Sequence, residues 1–176
     1  MSIFLPRLTL ILGGARSGKS RHAERLVLES GLQPCYLATG QGGDAEMAAR
    51  IAAHRARRGE RWRLVEEPLE LATALRHHAA ADCAVLVDCL TLWVTNLLLA
   101  ERDIEAEVAG LTAILQALPG PVVLVSNEVG LGIVPIDALT RAFVDATGAL
   151  HQRLAAMADR VDLVAAGLPL RLKPER

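Results

Sequence analysis

The sequence predicts an α/β fold with a mainly parallel sheet covered by helices on both faces. Three observations predict it. Apolar runs alternate with helix-like segments along the chain. Those runs are continuously apolar rather than alternating, as strands buried on both faces are. A glycine-rich loop joins the first run to the first helix, the arrangement of a P-loop nucleotide-binding domain. The 176 residues suit one domain, 1–176. Aromatics make up only 3%, so Leu, Ala, Val and Ile must build the core.

The elements follow in order. Leu8–Leu12 reads as a buried strand ending in glycines, and Gly18–Ser30 as a helix with Ala23, Leu26 and Val27 on one face. Pro34–Thr39 is a second strand, followed by the turn Gly40–Gly43. Asp44–Arg58 is predicted helical, with Asp44 as its cap and Met47 and Ile51 on an apolar face. Trp62–Val65 suits a short strand, and Pro68–Ala80 a helix opened by proline. Ala84–Asp88, Val122–Ser126 and Val161–Ala165 are further core strands. Helices are expected over Thr91–Ala100, Ile104–Leu118 and Asp137–Asp159. Ligands of such folds gather at the carboxyl ends of the strands.

Composition narrows the function classes. Nineteen basic residues balance twenty acidic ones, for a net charge of -1, which gives no global pull toward nucleic acid or an anionic membrane. Cys35, Cys83 and Cys89 form no C-x-x-C pair and leave one odd, which argues against a disulfide framework or a zinc knuckle. Cys35 and Cys89 read as small buried hydrophobes. The N-terminus lacks an apolar run long enough for a secretory signal. The longest apolar stretch, Ala84–Ala100, is broken by Asp88, Thr91, Thr95 and Asn96, whereas a membrane span needs ~20 mostly apolar residues. The expected compartment is a reducing cytoplasm.

Gly13-Gly14-Ala15-Arg16-Ser17-Gly18-Lys19-Ser20 matches G-x-x-x-x-G-K-[ST] in full, between a strand and an amphipathic helix. The glycines let backbone N–H groups face an anion, and the helix N-terminus adds its positive end. Lys19 would reach the β- and γ-phosphates, and the Ser20 hydroxyl would ligate Mg²⁺. The plainer alternative is a glycine turn that only caps a helix. Asp88 closes an apolar strand where a second Mg²⁺ anchor belongs. Its alternative role is N-cap of the helix beginning at Leu90. These residues imply a bound nucleoside triphosphate without saying what it is used for.

Arg50, His54, Arg55, Arg57, Arg58, Arg61 and Arg63 form a basic cluster in a near-neutral chain. Arg50, His54 and Arg58 share a helical face by their spacing. Guanidiniums bias the His54 imidazole toward its neutral, nucleophilic form, and can hold a triphosphate. A solvated helix end and a nucleic-acid patch are the competing readings. Of the other histidines, His22 is expected to face outward, His77 and His78 to end a solvated helix, and His151 to be a surface or packing residue.

Several segments together resemble one family. They are Gly13–Glu24; Glu46-Met-Ala-Ala-Arg-Ile with His54 after it; Trp62-Arg63 with Glu66; Thr95-Asn96-Leu97-Leu98; and Ser126-Asn-Glu-Val-Gly-Leu-Gly-Ile-Val-Pro135. They resemble the bifunctional adenosylcobinamide kinase/adenosylcobinamide-phosphate guanylyltransferases of cobalamin biosynthesis, from the first strand to about Asp162. The resemblance implies two reactions. ATP or GTP phosphorylates the aminopropanol hydroxyl of adenosylcobinamide. GTP then guanylylates a histidine with loss of pyrophosphate, and adenosylcobinamide phosphate takes the GMP to give adenosylcobinamide-GDP. It implies that His54 is the guanylylated residue, with Ala53 before it where some relatives carry a second histidine. The nucleotide contacts it implies are Gly13–Ser20, Thr39, Gly40, Gln41, Arg55, Ala56, Arg57, Arg58, Glu66 and Asp88. It further implies a RecA-like fold, Mg²⁺ and a homotrimer. An ordinary P-loop small-molecule kinase and a nucleotide-dependent switch protein are the alternatives.

Overall fold

The computed structural model describes residues 4–40 and 61–173. The helix expected over Asp44–Arg58 lies outside them. So do Gln41, His54, Arg55, Ala56, Arg57 and Arg58.

The strands are β1 (Leu8–Gly13), β2 (Gln33–Ala38), β3 (Arg63–Glu66), β4 (Cys83–Asp88), β5 (Val122–Asn127), β6 (Arg160–Ala165) and β7 (Leu168–Lys173). The helices are α1 (Lys19–Glu29), α2 (Leu71–His78), α3 (Leu90–Leu99), α4 (Ile104–Leu115) and α5 (Ala138–Met157). The seven strands of the described residues form one sheet in the order β3-β2-β4-β5-β1-β6-β7. Every neighbouring pair is parallel except β6 and β7. The inner strands are too apolar to leave either face wet, and among the described residues the crossovers that contain α1–α5 lay helices on the faces.

Side chains alternate along each strand, so each strand feeds two cores. Leu10, Leu37, Val85, Val87 and Leu124 pack with Leu71, Trp93, Leu97, Leu111 and Leu150 of α2–α5. Ile11, Tyr36, Leu86, Val123 and Val125 pack with Ala23, Leu26 and Val27 of α1 on the opposite face. Trp93 is fully buried, and its indole N–H donates to the Leu69 carbonyl at 2.8 Å. All three cysteines are buried thiols.

The structure corrects three expectations. The first helix after β3 begins at Leu71, not at Pro68. Glu67 Oε1 accepts from the Leu69 and Glu70 N–H groups at 3.0 and 2.9 Å, so residues 67–70 form a turn held by that carboxylate. His22 is buried rather than outward-facing. Finally, β7 is an additional strand, which turns back antiparallel on β6 through Ala166 and Gly167. Both turn residues have positive φ, 52° and 81°, as a tight hairpin turn requires. Its sequence carries Pro169 and mostly exposed side chains, so it lacks the apolar run that marks the inner strands; proline is tolerated because β7 is an edge.

Candidate active site

The loop after β1 leads directly into α1. Its turn is closed by the Ser17 N–H donating to the Gly14 carbonyl at 3.2 Å. Gly14, Ala15 and Arg16 are exposed, whereas Ser17 and Lys19 are buried. Two glycines are required by geometry. A Cβ on Gly13 would stand 2.5 Å from the Val164 carbonyl oxygen, and Gly18 has φ 96° with the Gly167 Cα 3.2 Å from where its Cβ would lie. Gly18 is also the N-cap of α1, so no side chain caps that helix, and its first turn carries no acidic residue. The N-terminal N–H groups of α1 therefore face the loop without a carboxylate of their own to neutralise them, which suits an anion. Lys19 Nζ donates to the Gly14 carbonyl at 3.2 Å, folded over its own loop.

Sheet order decides what meets this loop. β5 lies between β1 and β4, so Asp88 stands two strands from the loop, about 10 Å at ordinary strand spacing. Alternation puts Asp88 on the side of Leu86, which is the α1 side. The Tyr36 hydroxyl donates to Asp88 Oδ2 at 2.8 Å, from a ring set edge-on against Trp62 at 5.8 Å. Asp88 does not cap α3: the N-cap is Cys89, and no side chain caps that helix. Ser20 and Asp88 are thus two hard oxygen donors on the same side of the sheet. Among the described residues no group of three or more His, Cys, Asp or Glu could hold a metal. That donor set fits an ion which keeps waters and nucleotide oxygens as its remaining ligands, as Mg²⁺ does.

Thr39 and Gly40 follow β2 at the same end of the sheet. The Thr39 hydroxyl donates to the Cys89 carbonyl at 2.7 Å and accepts from the Cys89 N–H at 3.0 Å. Asn96 Nδ2 donates to the Thr39 carbonyl at 2.7 Å and to that of Pro68 at 3.0 Å. Thr39 is fully buried, so its side chain ties the end of β2 to the residue after Asp88. Burial, and then the charge of Asp88, push the Cys89 thiol up to about 11, so it stays protonated there. Glu66 ends β3 at the sheet's edge, exposed, four strands and about 19 Å from β1. Glu66 is thus not brought to the loop itself.

Residues outside the expected nucleotide contacts also support the loop. The Gly167 N–H donates to the Ser17 carbonyl at 2.8 Å, so the β6–β7 hairpin touches the loop from the side opposite β5. Behind it, Asp162 accepts from His22 Nε2 at 2.8 Å and from the guanidinium of Arg160 at 2.7 Å, and Arg171 donates to its other oxygen at 2.5 Å. Burial opposes ionisation of Asp162, but these donors outweigh it and hold the carboxyl well below the usual carboxylate range. On the β5 side, the Glu128 N–H donates to the Gly13 carbonyl at 3.1 Å. The neighbouring Asn127 donates to Thr91 Oγ1 at 2.8 Å. Below it, His151 Nε2 pairs with Ser126 Oγ at 2.7 Å, and burial lowers the His151 pKa although Glu128 acts the other way. Tyr36, Gly167 and His22 carry no sequence signal of these roles, because their partners lie 52, 150 and 140 residues away.

Known proteins resemble this chain over nearly its whole length. The family profile described as "Cobinamide kinase / cobinamide phosphate guanyltransferase" matches residues 9–172. The bifunctional adenosylcobalamin biosynthesis protein CobP of Pseudomonas aeruginosa is 56% identical over 168 residues, covering 94% of this chain and 97% of that protein. The bifunctional adenosylcobalamin biosynthesis protein CobU of Salmonella typhimurium is 45% identical over 181 residues, covering 94% and 99%. Among solved structures, the flagellar accessory protein FlaH of Methanocaldococcus jannaschii aligns with a TM-score of 0.55 at 13% identity, over 97% of this chain and 80% of that one. That likeness concerns the fold alone, a mainly parallel sheet covered by helices.

Proposed function

The chain belongs to the cobinamide kinase / cobinamide phosphate guanyltransferase family, and from that premise we propose how its residues divide the two transfers. Its activities are those of a cobinamide kinase and a cobinamide-phosphate guanylyltransferase of cobalamin biosynthesis. The observation that carries the residue assignment is the uncapped, carboxylate-free start of α1 with Lys19 folded over the loop before it.

In the kinase step, the backbone N–H groups of Gly13–Ser20 hold the triphosphate of ATP or GTP, and Lys19 compensates charge on its β- and γ-phosphates. The aminopropanol hydroxyl of adenosylcobinamide attacks the γ-phosphorus, and the nucleoside diphosphate leaves. Such a transfer needs positioning and charge more than covalent help. Ser20 and Asp88 would hold Mg²⁺, which supplies charge neutralisation at the phosphates, while Tyr36 aims the Asp88 carboxylate.

In the second step, a ring nitrogen of His54 attacks the α-phosphorus of GTP and pyrophosphate leaves. A phosphate oxygen of adenosylcobinamide phosphate then attacks the same phosphorus, the bond to the imidazole breaks, and adenosylcobinamide-GDP forms. A covalent intermediate splits one displacement into two. Arg16, Arg55, Arg57 and Arg58 would compensate the leaving charge, with Ala56 among them. Thr39, Gly40, Gln41 and Glu66 would bound the nucleoside end. The chain would act as one catalytic domain, 1–176, in a cytoplasmic homotrimer; the family resemblance supports that reading. No helix among the described residues is long and apolar enough to cross a membrane.

The test uses GTP labelled at the α-phosphate, with Mg²⁺, followed by denaturation. Acid-labile, alkali-stable label on the wild-type chain, absent from His54→Ala, is the expected result. Absence of label on folded, GTP-binding wild type would sink the covalent step. Label that persists in the variant would move it to another nucleophile.

A further inference from the structure

The segment from Val129 to Ile136 follows β5 without a single charged residue. It displays Leu131, Ile133, Val134 and Ile136 at 87%, 98%, 74% and 98% exposure, and Leu139 on the first turn of α5 adds another at 60%. Single exposed apolar residues are ordinary, but five within nine positions are not. They are also held out by construction. At the start of the segment, Glu128 Oε1 accepts from the Gly130 N–H at 2.6 Å. At its end, Arg141 Nη1 donates to the carbonyls of Pro135 and Ile136, and Asp137 caps α5 by accepting from the Thr140 N–H at 2.7 Å. Both ends of the segment are thus pinned by their own polar groups, and the apolar side chains point away from the core.

Its position is the second observation. The segment leaves β5 one residue after the Glu128 N–H bonds to the Gly13 carbonyl, so it begins beside the phosphate loop. Cobinamide is a broad macrocycle whose rim carries methyl groups and neutral amide arms, and its acceptor hydroxyl hangs from one arm. That hydroxyl must reach the γ-phosphate at the loop while the macrocycle lies outside. An uncharged, apolar shelf that starts beside the loop and runs away from it matches both the methyl-bearing rim and the required offset.

We propose that residues 129–139 seat the corrin macrocycle of cobinamide, through Leu131, Ile133 and Ile136, and so present its hydroxyl to the phosphate loop. This rests on cobinamide being the acceptor substrate. The seat serves both steps, because the phosphorylated product keeps the same macrocycle.

The experiment compares wild type with the double variant Ile133→Ser/Ile136→Ser. Both positions are 98% exposed, so the substitutions leave the fold's packing intact. Binding of cobinamide is measured by equilibrium dialysis, reading the corrin colour. KM for GTP and sedimentation are measured on the same preparations. The expected result is cobinamide affinity lowered at least about tenfold, with KM for GTP within about twofold and sedimentation unchanged. Unchanged cobinamide affinity would overturn the seat. Lost affinity that tracks dissociation of an oligomer would also overturn it, and would make the segment a contact between copies. If wild type itself neither binds nor phosphorylates cobinamide, the parent assignment fails instead, and the GTP measurements on the same samples separate the two cases.

Discussion

Lys19 and His151 show how much a single side chain's surroundings decide. Lys19 is buried and donates to its own loop, so in the proposed assignment its ammonium stands at the loop before a triphosphate binds. Lys19→Ala is expected to lower both transfers at least about a hundredfold while costing stability only about 1 kcal/mol for the lost hydrogen bond. Rates with thermal melting on one preparation check it, and unchanged rates would refute the role. His151 is a different case. Burial lowers its pKa from the ordinary value of 6.5, so the unfolded chain binds its proton more readily than the fold does. Its contribution to stability is therefore present above that ordinary value and lost as pH falls below it. His151→Gln keeps a partner for Ser126 but cannot titrate. Urea midpoints between about pH 8 and about pH 5 should fall less in the variant than in wild type.

At the scale of elements, the hairpin β6–β7 matters more than its exposed sequence suggests. It joins the phosphate loop through the Gly167 N–H and joins α1 through the His22–Asp162 pair. Asp162 is 1% exposed and gathers His22, Arg160 and Arg171, so Asp162→Asn leaves buried donors short of a charged partner. The expected loss is about 3–5 kcal/mol. Because its folded pKa is depressed, the wild-type advantage is present above the ordinary value of 3.8 and lost as pH falls through the lower folded value. Denaturant melts near neutral pH check the size, and acid melts should show the two proteins converging. KM for GTP should rise in the same variant, since the loop loses its brace; an unchanged KM would reduce the hairpin to a stability element alone.

For the whole molecule, one sheet brings together chain segments far apart in sequence. Gly13 and Asn127 are paired across β1 and β5, and Asp88 ends the next strand, β4, so the three stand at the same end of the sheet. Glu66 stands at the opposite edge, so a nucleotide bound as proposed spans much of the sheet's carboxyl end. Glu66→Ala, at an exposed edge, should raise KM for GTP without moving the melting temperature by more than about 2 °C. An unchanged KM would remove Glu66 from the nucleotide's contacts. Sedimentation should give the mass of three chains, and a monomer at working concentration would refute the trimer.

The sequence by itself determined the parallel α/β class, the inner strands to within a residue or two, and the phosphate loop with its helix. These are local properties: continuous apolar runs, a glycine-rich turn and a 3.6-residue period are each written in adjacent residues. It also carried the family resemblance, because long motifs are contiguous. The tertiary structure decided strand order, and with it the placement of Asp88 two strands from the loop. It decided that Tyr36 holds that carboxylate, that Thr39 locks Cys89, that His22 turns inward to Asp162, and that β7 exists at all. All but the last depend on pairing or burial between residues tens of positions apart or more, and β7, though it pairs locally with β6, carries no apolar run to mark it. Long-range pairing arises only when the whole sheet closes, so neighbouring residues carry no record of it.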